Sequence, residues 1–497
     1  MNILAIDLGT QSIRAAITNE KGEILTLSQL PQEVNCPHPG WAQQKPETWW
    51  KLVKKVIKKI INTSEIEINS IQGICTCGQM HGPVGIDDEG NITTEWTQIW
   101  MDKRCENICK MIKKNHDQAE LAKITGNPIT TGWPGVKVRW IKDNQPELYN
   151  RTKVFLVPKD FINFQLTGVA ATDHSEASGT YLYDFNKNGY NEQMAKILDI
   201  NLAKFAPIFN SYDIIGKIKE ETAEEMGIPN NIPVVAGGGD FIVSLLGLGL
   251  AGEGSAVDMT GTSTLFVVHK NKPIVNPLVQ NLRHVINGWV PFTMLDTGGL
   301  SMKWCKDLLS SMGNKEISYE EMIKMAADVP VGCEGLLFYP YMLGERRKEN
   351  VLARGCFYGL TINHKAAHLA RSIMEGVALA IGKDVLNFRN LGVNINQVYC
   401  LGGATRNKLL YQIKADVMNL PQILTEEPEA SLRGCGLLAA YGLGFIDDIG
   451  EVARLKNSKT RRIKPNEDAA SIYKNVLKEF IRMYDHLLGY WHENREK

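Results

Sequence analysis

A short pattern occurs twice in this chain. Residues 3–17 read ILAIDLGTQSIRAAI, and residues 255–268 read SAVDMTGTSTLFVV. Each is an apolar run, an acidic residue, a Gly-Thr turn and a second apolar run. Apolar runs joined by a short Gly-containing turn form β-hairpins, and a turn rich in backbone N–H groups and hydroxyls is a concave anion site. Two such tips predict two related half-molecules that hold one polyphosphate. A single core stops growing near ~250–300 residues, so a chain of 497 residues also predicts two domains.

Charge excludes some partners. Lys plus Arg and Asp plus Glu both number 55, a formal balance of zero, which gives no field for nucleic acid or an anionic membrane. The short basic run Lys459, Arg461, Arg462, Lys464 reads as a solvated surface. The chain opens directly into a strand-like run rather than a leader, and no stretch has the ~18 apolar residues of a spanning helix. The ten cysteines lack disulfide or zinc spacing and read as reduced thiols, so a cytoplasmic location is expected.

Strands alternate with helices, which sets the class as α/β. Helices are predicted over 48–61, 366–388 and from about 467 onward, the last with Ile472, Val476, Phe480, Tyr484 and Leu487 on one side. Strands are predicted over 71–77, 233–236 and 398–401. Gly376, inside a helix, suggests close backbone packing, because interior Gly costs about 1 kcal/mol against Ala. The second half restarts near Gly252.

Several motifs carry chemistry. At the first hairpin Gly9 lets backbone approach a phosphate, Thr10 and Ser12 add hydroxyls, Arg14 is placed to reach a terminal phosphate, and Asp7 is placed to hold Mg²⁺ through water. Gly237-Gly238-Gly239-Asp240 comes directly after a buried strand. There Asp240 reads either as a base for a hydroxyl nucleophile or as the N-cap of a helix over 241–247. Gly402-Gly403-Ala404 with Asn407 reads either as room for a ribose or flat ring, or as a tight turn. In the loop Gly78-Gln79-Met80-His81-Gly82, Gln79 and His81 suit sugar hydroxyls and Met80 suits an apolar edge. Asp102 and Arg104 read as sharing one face of a strand or as a surface ion pair. Residues 247–252 match G-x-G-x-x-G but lie between a helix and a strand in the wrong order for a dinucleotide site. His364 and His368 lack the Glu of a zincin, and no Walker sequence is present.

Together these residues resemble the FGGY carbohydrate kinases of the actin and hexokinase superfamily. Residues 132–144 (GWPGVKVRWIKDN) and 355–375 (GCFYGLTINHKAAHLARSIME) resemble its two signatures. Gly40-Trp41, Trp49-Trp50, Thr172-Asp173 and residues 402–416 also fit its pattern. The loop at 78–82, with Gly344-Glu345-Arg346 and Ala353-Arg354-Gly355, is most similar to the xylulokinase branch.

The resemblance implies two ribonuclease H-like domains with an ATP cleft between them: 1–245 for sugar and the first phosphate hairpin, 246–497 for the nucleotide. It implies Asp240 as the catalytic base. Gln79, Met80, His81, Asp102 and Asp240 are then expected at the sugar, and Asp7 and Asp240 at Mg²⁺. Thr10, Gln11, Ser12, Arg14, Gly261, Thr262, Gly298, Gly299, Gly402, Gly403, Ala404 and Asn407 are expected at ATP. The expected reaction phosphorylates the terminal hydroxyl of a ketopentose, D-xylulose first, in a homodimer. Another ketose, a deoxyketose or a polyol is the alternative acceptor, and a non-kinase ATP-binding protein is the other class. Three positions depart from the xylulokinase pattern: Phe241 replaces Asn, Thr264 replaces Gly, and Gln43 replaces Glu.

Overall fold

The computed structural model describes residues 1–313, 315–345, 352–425, 429–454 and 460–493. Arg346 and Lys459 lie outside the described residues. Two compact units emerge, each discontinuous in sequence. One comprises Met1–Ala251, Asn271–Val290 and Glu429–Lys456, and the other Gly252–Lys270, Pro291–Pro428 and Asn457–Lys497.

In the first unit six strands form one sheet, in the order Ile214–Lys217, Pro233–Gly239, Ile71–Gly78, Asn2–Leu8, Ser12–Asn19, Ile24–Pro31. The middle three, Pro233–Gly239 to Asn2–Leu8, are parallel neighbours, and the pairings outside them are antiparallel. The three parallel strands are buried along nearly their whole length, as parallel strands packed between helices are, while the outer strand Ile24–Pro31 is exposed at alternate positions. Helix Pro46–Thr63 lays Trp49, Val53, Val56, Ile57 and Ile60 on this sheet. Their period of three and four makes the helix legible, and each such side chain contributes ~1.5–3 kcal/mol on burial.

The second unit repeats this arrangement. Six strands of its seven-stranded sheet run in the order Thr460–Ile463, Gln422–Thr425, Ile395–Leu401, Gly254–Thr260, Thr264–Val268, Trp289–Leu295, and Gln280–Arg283 adds a seventh at the edge beyond Trp289–Leu295. The middle pairings are parallel and the outer ones antiparallel. Those six strands, but not the seventh, each have a counterpart in the first unit's six-stranded sheet, and the two hairpins occupy equivalent places. Helix Ala366–Asn390 is buried along most of its length. A Cβ at Gly376 would overlap the Phe338 carbonyl, so the glycine does permit a close backbone approach.

Local structure differs from expectation in three places. Strand Pro233–Gly239 runs three residues further than its apolar part, because Gly238 and Gly239 still pair with Cys77 and Gly78. Helix Glu467–Glu493 buries Tyr473, Phe480 and Tyr484, while Ile472 is exposed; aromatic rings, with Phe480 stacked on Tyr339 at 4.4 Å, set the stripe. Asp102 and Arg104 lie in a turn and form a buried ion pair, neither on a strand nor at the surface.

Candidate active site

The first hairpin places Asp7 directly across from Arg14, because Asn2–Leu8 and Ser12–Asn19 pair in that register. Asp7 is fully buried. Its Oδ2 takes the Arg14 guanidinium and, at 2.6 Å, the Ser431 hydroxyl, while Arg14 also reaches Glu429 at 2.8 Å. Its Oδ1 is buried and has no hydrogen-bond partner among the described residues. A buried, unpartnered carboxylate oxygen is costly unless a cation or a proton meets it.

Asp240 is the group that feels Asp7. It starts helix Asp240–Gly247, with Gly239 in the cap position, so the N-cap role expected for Asp240 is not seen. Its Oδ1 accepts the Phe241 N–H at 2.6 Å. Burial, then the Asp7 charge, raises its pKa from 3.8 to about 7, against the Phe241 bond and Arg14. A carboxyl poised near neutrality is suited to general base work, since the best base has a pKa near the working pH.

The loop after strand Ile71–Gly78 comes to the same place. A Cβ on Gly239 would meet the Met80 side chain at 2.6–2.7 Å, so Met80 packs on the residue before Asp240. Gln79 is buried, donates to Gln44 Oε1 at 2.7 Å and accepts from Thr10 Oγ1 at 3.1 Å. Thr10 in turn accepts from Trp100 Nε1 at 3.1 Å, and Gln11 and Ser12 complete the exposed tip.

His81 takes a left-handed backbone, φ 75°. Burial, with the Lys137 charge, lowers its pKa to about 3, so the ring is neutral, and its Nδ1 is buried without a partner among the described residues. Lys137 Nζ donates to the His81 carbonyl at 2.9 Å and fixes the loop. Asp102 is otherwise occupied. Both oxygens serve Arg104, and Oδ2 also accepts the Ala42 N–H at 2.7 Å; Arg104 itself lies 3.7 Å over the Trp41 ring.

In the second unit the hairpin tip organises the other expected residues. Gly299 and Leu300, in the first turn of helix Gly298–Gly313, donate to the carbonyls of Gly261 and Thr262 at 3.0 Å. Gly298 packs on Thr264, whose hydroxyl is 3.1 Å from that of Thr260. Gly402, with φ 98°, lies against the Thr260 carbonyl and leads into Gly403 and Ala404. Asn407 N-caps helix Lys408–Met418 through Oδ1. Gly298, Gly299 and Gly402 thus pack directly on the tip over Thr260 to Thr264, where a Cβ would meet the tip's own atoms.

Gln44, Lys137, Glu429 and Ser431 are not legible as site residues in the sequence. Lys137 lies inside one of the two signature segments, without a role that its neighbours reveal. Ser431 and Glu429 reach the first hairpin from the far end of the chain, and no local spacing marks such contacts.

Two carboxylates, Asp7 with its open oxygen and Asp240, fit Mg²⁺, which keeps most of its waters and takes one or two protein carboxylates beside phosphate. Among the described residues no group of three or more His, Cys, Asp or Glu forms a metal cage. No described helix is long and apolar enough to cross a membrane.

Compared with known families, residues 2–247 match the N-terminal domain, and residues 257–443 the C-terminal domain, of the FGGY family of carbohydrate kinases. The chain is 29% identical over 488 residues to a xylulose kinase of Staphylococcus epidermidis (strain ATCC 12228 / FDA PCI 1200), covering 97% of this chain and 96% of that protein. It is 27% identical over 491 residues to a gluconokinase of Bacillus subtilis (strain 168), covering 97% and 95%. The crystal structure of xylulose kinase from Rhodospirillum rubrum superposes with a TM-score of 0.93 at 26% identity, over 99% of this chain and 100% of that one.

Proposed function

The chain belongs to the FGGY family of carbohydrate kinases, and on that premise we propose that it transfers the γ-phosphoryl group of ATP to the terminal hydroxyl of a ketopentose, with D-xylulose the first candidate. The observation that carries this reading is the contact of Met80 with Gly239. It sets the acceptor loop Gln79–Met80–His81 beside a carboxyl whose pKa is near 7. The xylulose kinase relatives support the choice of acceptor.

Asp240 takes the proton of the attacking hydroxyl as its oxygen bonds to the γ-phosphorus and the bond to the β–γ bridging oxygen breaks. Neutral His81, with Nδ1 unpaired, and Met80 orient the sugar. Gln79 is spent on Gln44 and Thr10 and acts by shaping the loop, and Asp102 acts by holding Arg104. The sugar and the first phosphate hairpin belong to a domain over 1–245, and the nucleotide to one over 246–497. Gln11, Ser12 and the backbone N–H of Thr10 present donors to phosphate, with Arg14 balancing Asp7. Gly261, Thr262, Gly298, Gly299 and Gly402 to Ala404 give the nucleotide a close backbone surface beside Asn407. Asp7 and Asp240 would hold Mg²⁺, which when bound would supply charge neutralisation at the transferring phosphoryl group.

The gluconokinase relative favours a second reading, a sugar acid as acceptor. ADP release measured over D-xylulose, L-xylulose, ribulose, gluconate and polyols separates the two. The proposal expects the highest kcat/KM for D-xylulose. A preference for gluconate would overturn the acceptor while leaving the kinase reading intact.

A further inference from the structure

Strand Pro233–Gly239 does not run straight into Asp240. Its pairing with Ile71–Gly78 slips between Val235 and Gly238. Gly237 sits there at φ 69°, where a Cβ would overlap the Thr76 carbonyl. An extra residue of this kind bends a strand and re-aims the residues after it, and it leaves backbone groups out of the ladder.

Those groups are gathered by a buried polar cluster. The Ala236 carbonyl accepts Lys159 Nζ at 2.9 Å and Asn163 Nδ2 at 2.8 Å. The Gly237 N–H goes to the Ser211 carbonyl at 2.8 Å, and the Gly239 N–H to Ser175 Oγ at 3.1 Å. Lys159 is fully buried and pairs with Asp160 at 2.6 Å and Asp173 at 2.9 Å. Asp173 in turn accepts the Ser175 N–H at 2.8 Å and the Ser211 hydroxyl at 2.7 Å. One cation thus links the carbonyl at the bulge to the aspartate that orients both Ser175 and Ser211.

We infer that Lys159, acting with Asp173 and Ser175 through the bulge at Ala236–Gly237, is a positioning residue that aims the Asp240 carboxylate at the acceptor hydroxyl. The inference rests on the reading of Asp240 as the base. It predicts that loosening the cluster lowers kcat while leaving ground-state binding in place, because a displacement of about 1 Å at the reacting group costs roughly 10²-fold in rate.

The test compares Lys159→Met, Ser175→Ala and Asp240→Asn in the full-length protein. Active sites are counted by calorimetric titration with ADP, and turnover is expressed per site. Lys159→Met is expected to lose about 10²-fold in kcat, and Ser175→Ala about tenfold, each with acceptor KM and ADP affinity within about twofold of wild type. A purely structural role would reduce the number of sites and leave turnover per site unchanged, and that result in Ser175→Ala would overturn the inference. If Lys159→Met fails to fold, Ser175→Ala decides alone. Wild-type turnover in Asp240→Asn would instead overturn the base assignment, and the inference with it.

Discussion

The two hairpins have the same topology and opposite electrostatics. In the first, the strand acid Asp7 faces a cation, Arg14, across the pair and keeps one oxygen unpartnered among the described residues. In the second, Asp258 faces Phe266, and its charge is closed from behind: Lys414 Nζ lies 3.0 and 2.7 Å from its two oxygens, and Thr260 Oγ1 lies 2.5 Å from Oδ1. Both acids are fully buried. One is left open to act on its surroundings and the other is locked into the fold. A repeated hairpin therefore does not mean a repeated role, and the division of labour is decided by the residues that reach each acid from elsewhere.

The largest expected effect breaks the comparison at the group that only the first hairpin tunes. Asp240→Asn is expected to lower kcat by about 10²–10⁴-fold, the usual worth of a general base, with ADP affinity retained by calorimetry. Next comes the locked acid. Asp258→Asn leaves Lys414 as a buried unpaired cation and is expected to cost ~3–5 kcal/mol in urea unfolding, with turnover per folded molecule unchanged. A loss of turnover without a loss of stability would show that the second acid is not merely structural.

The smallest effect sharpens the first tip. Thr10→Val removes the hydrogen bonds to Gln79 and Trp100 and is expected to cost about 1 kcal/mol in stability. It should also change Trp100 fluorescence, because the indole N–H loses its partner.

Much of this is legible in the sequence. The hairpins show in an acidic residue, a Gly-Thr turn and flanking apolar runs, and Asp240 in the glycines that extend a buried strand. The illegible part depends on distant side chains. Ser431 completes Asp7, Lys414 silences Asp258, and Lys159 reaches back to Ala236. Polar residues on helices look solvated in sequence, and only the packing of those helices reveals which acid each one meets. Asp102 teaches the same point in reverse: its partner is two residues away, yet Trp41 and Ala42 are what bury the pair.

Burial first, and the charge of Asp7 second, set the acidity of Asp240. Because the Asp240 pKa is raised, the neutral form is favoured in the folded protein. That contribution to stability is present below its ordinary value of 3.8 and is lost as pH rises through about 7. Activity has the opposite dependence, since the base must be ionised. The direct test is the pH profile of kcat/KM, which reports the free enzyme, for wild type and Asp7→Asn. Wild type is expected to show a rising limb centred at about 7. In Asp7→Asn the limb should move down, because a neighbouring like charge is removed, while burial, the larger cause, still holds it above the ordinary value. An unmoved limb would contradict the account.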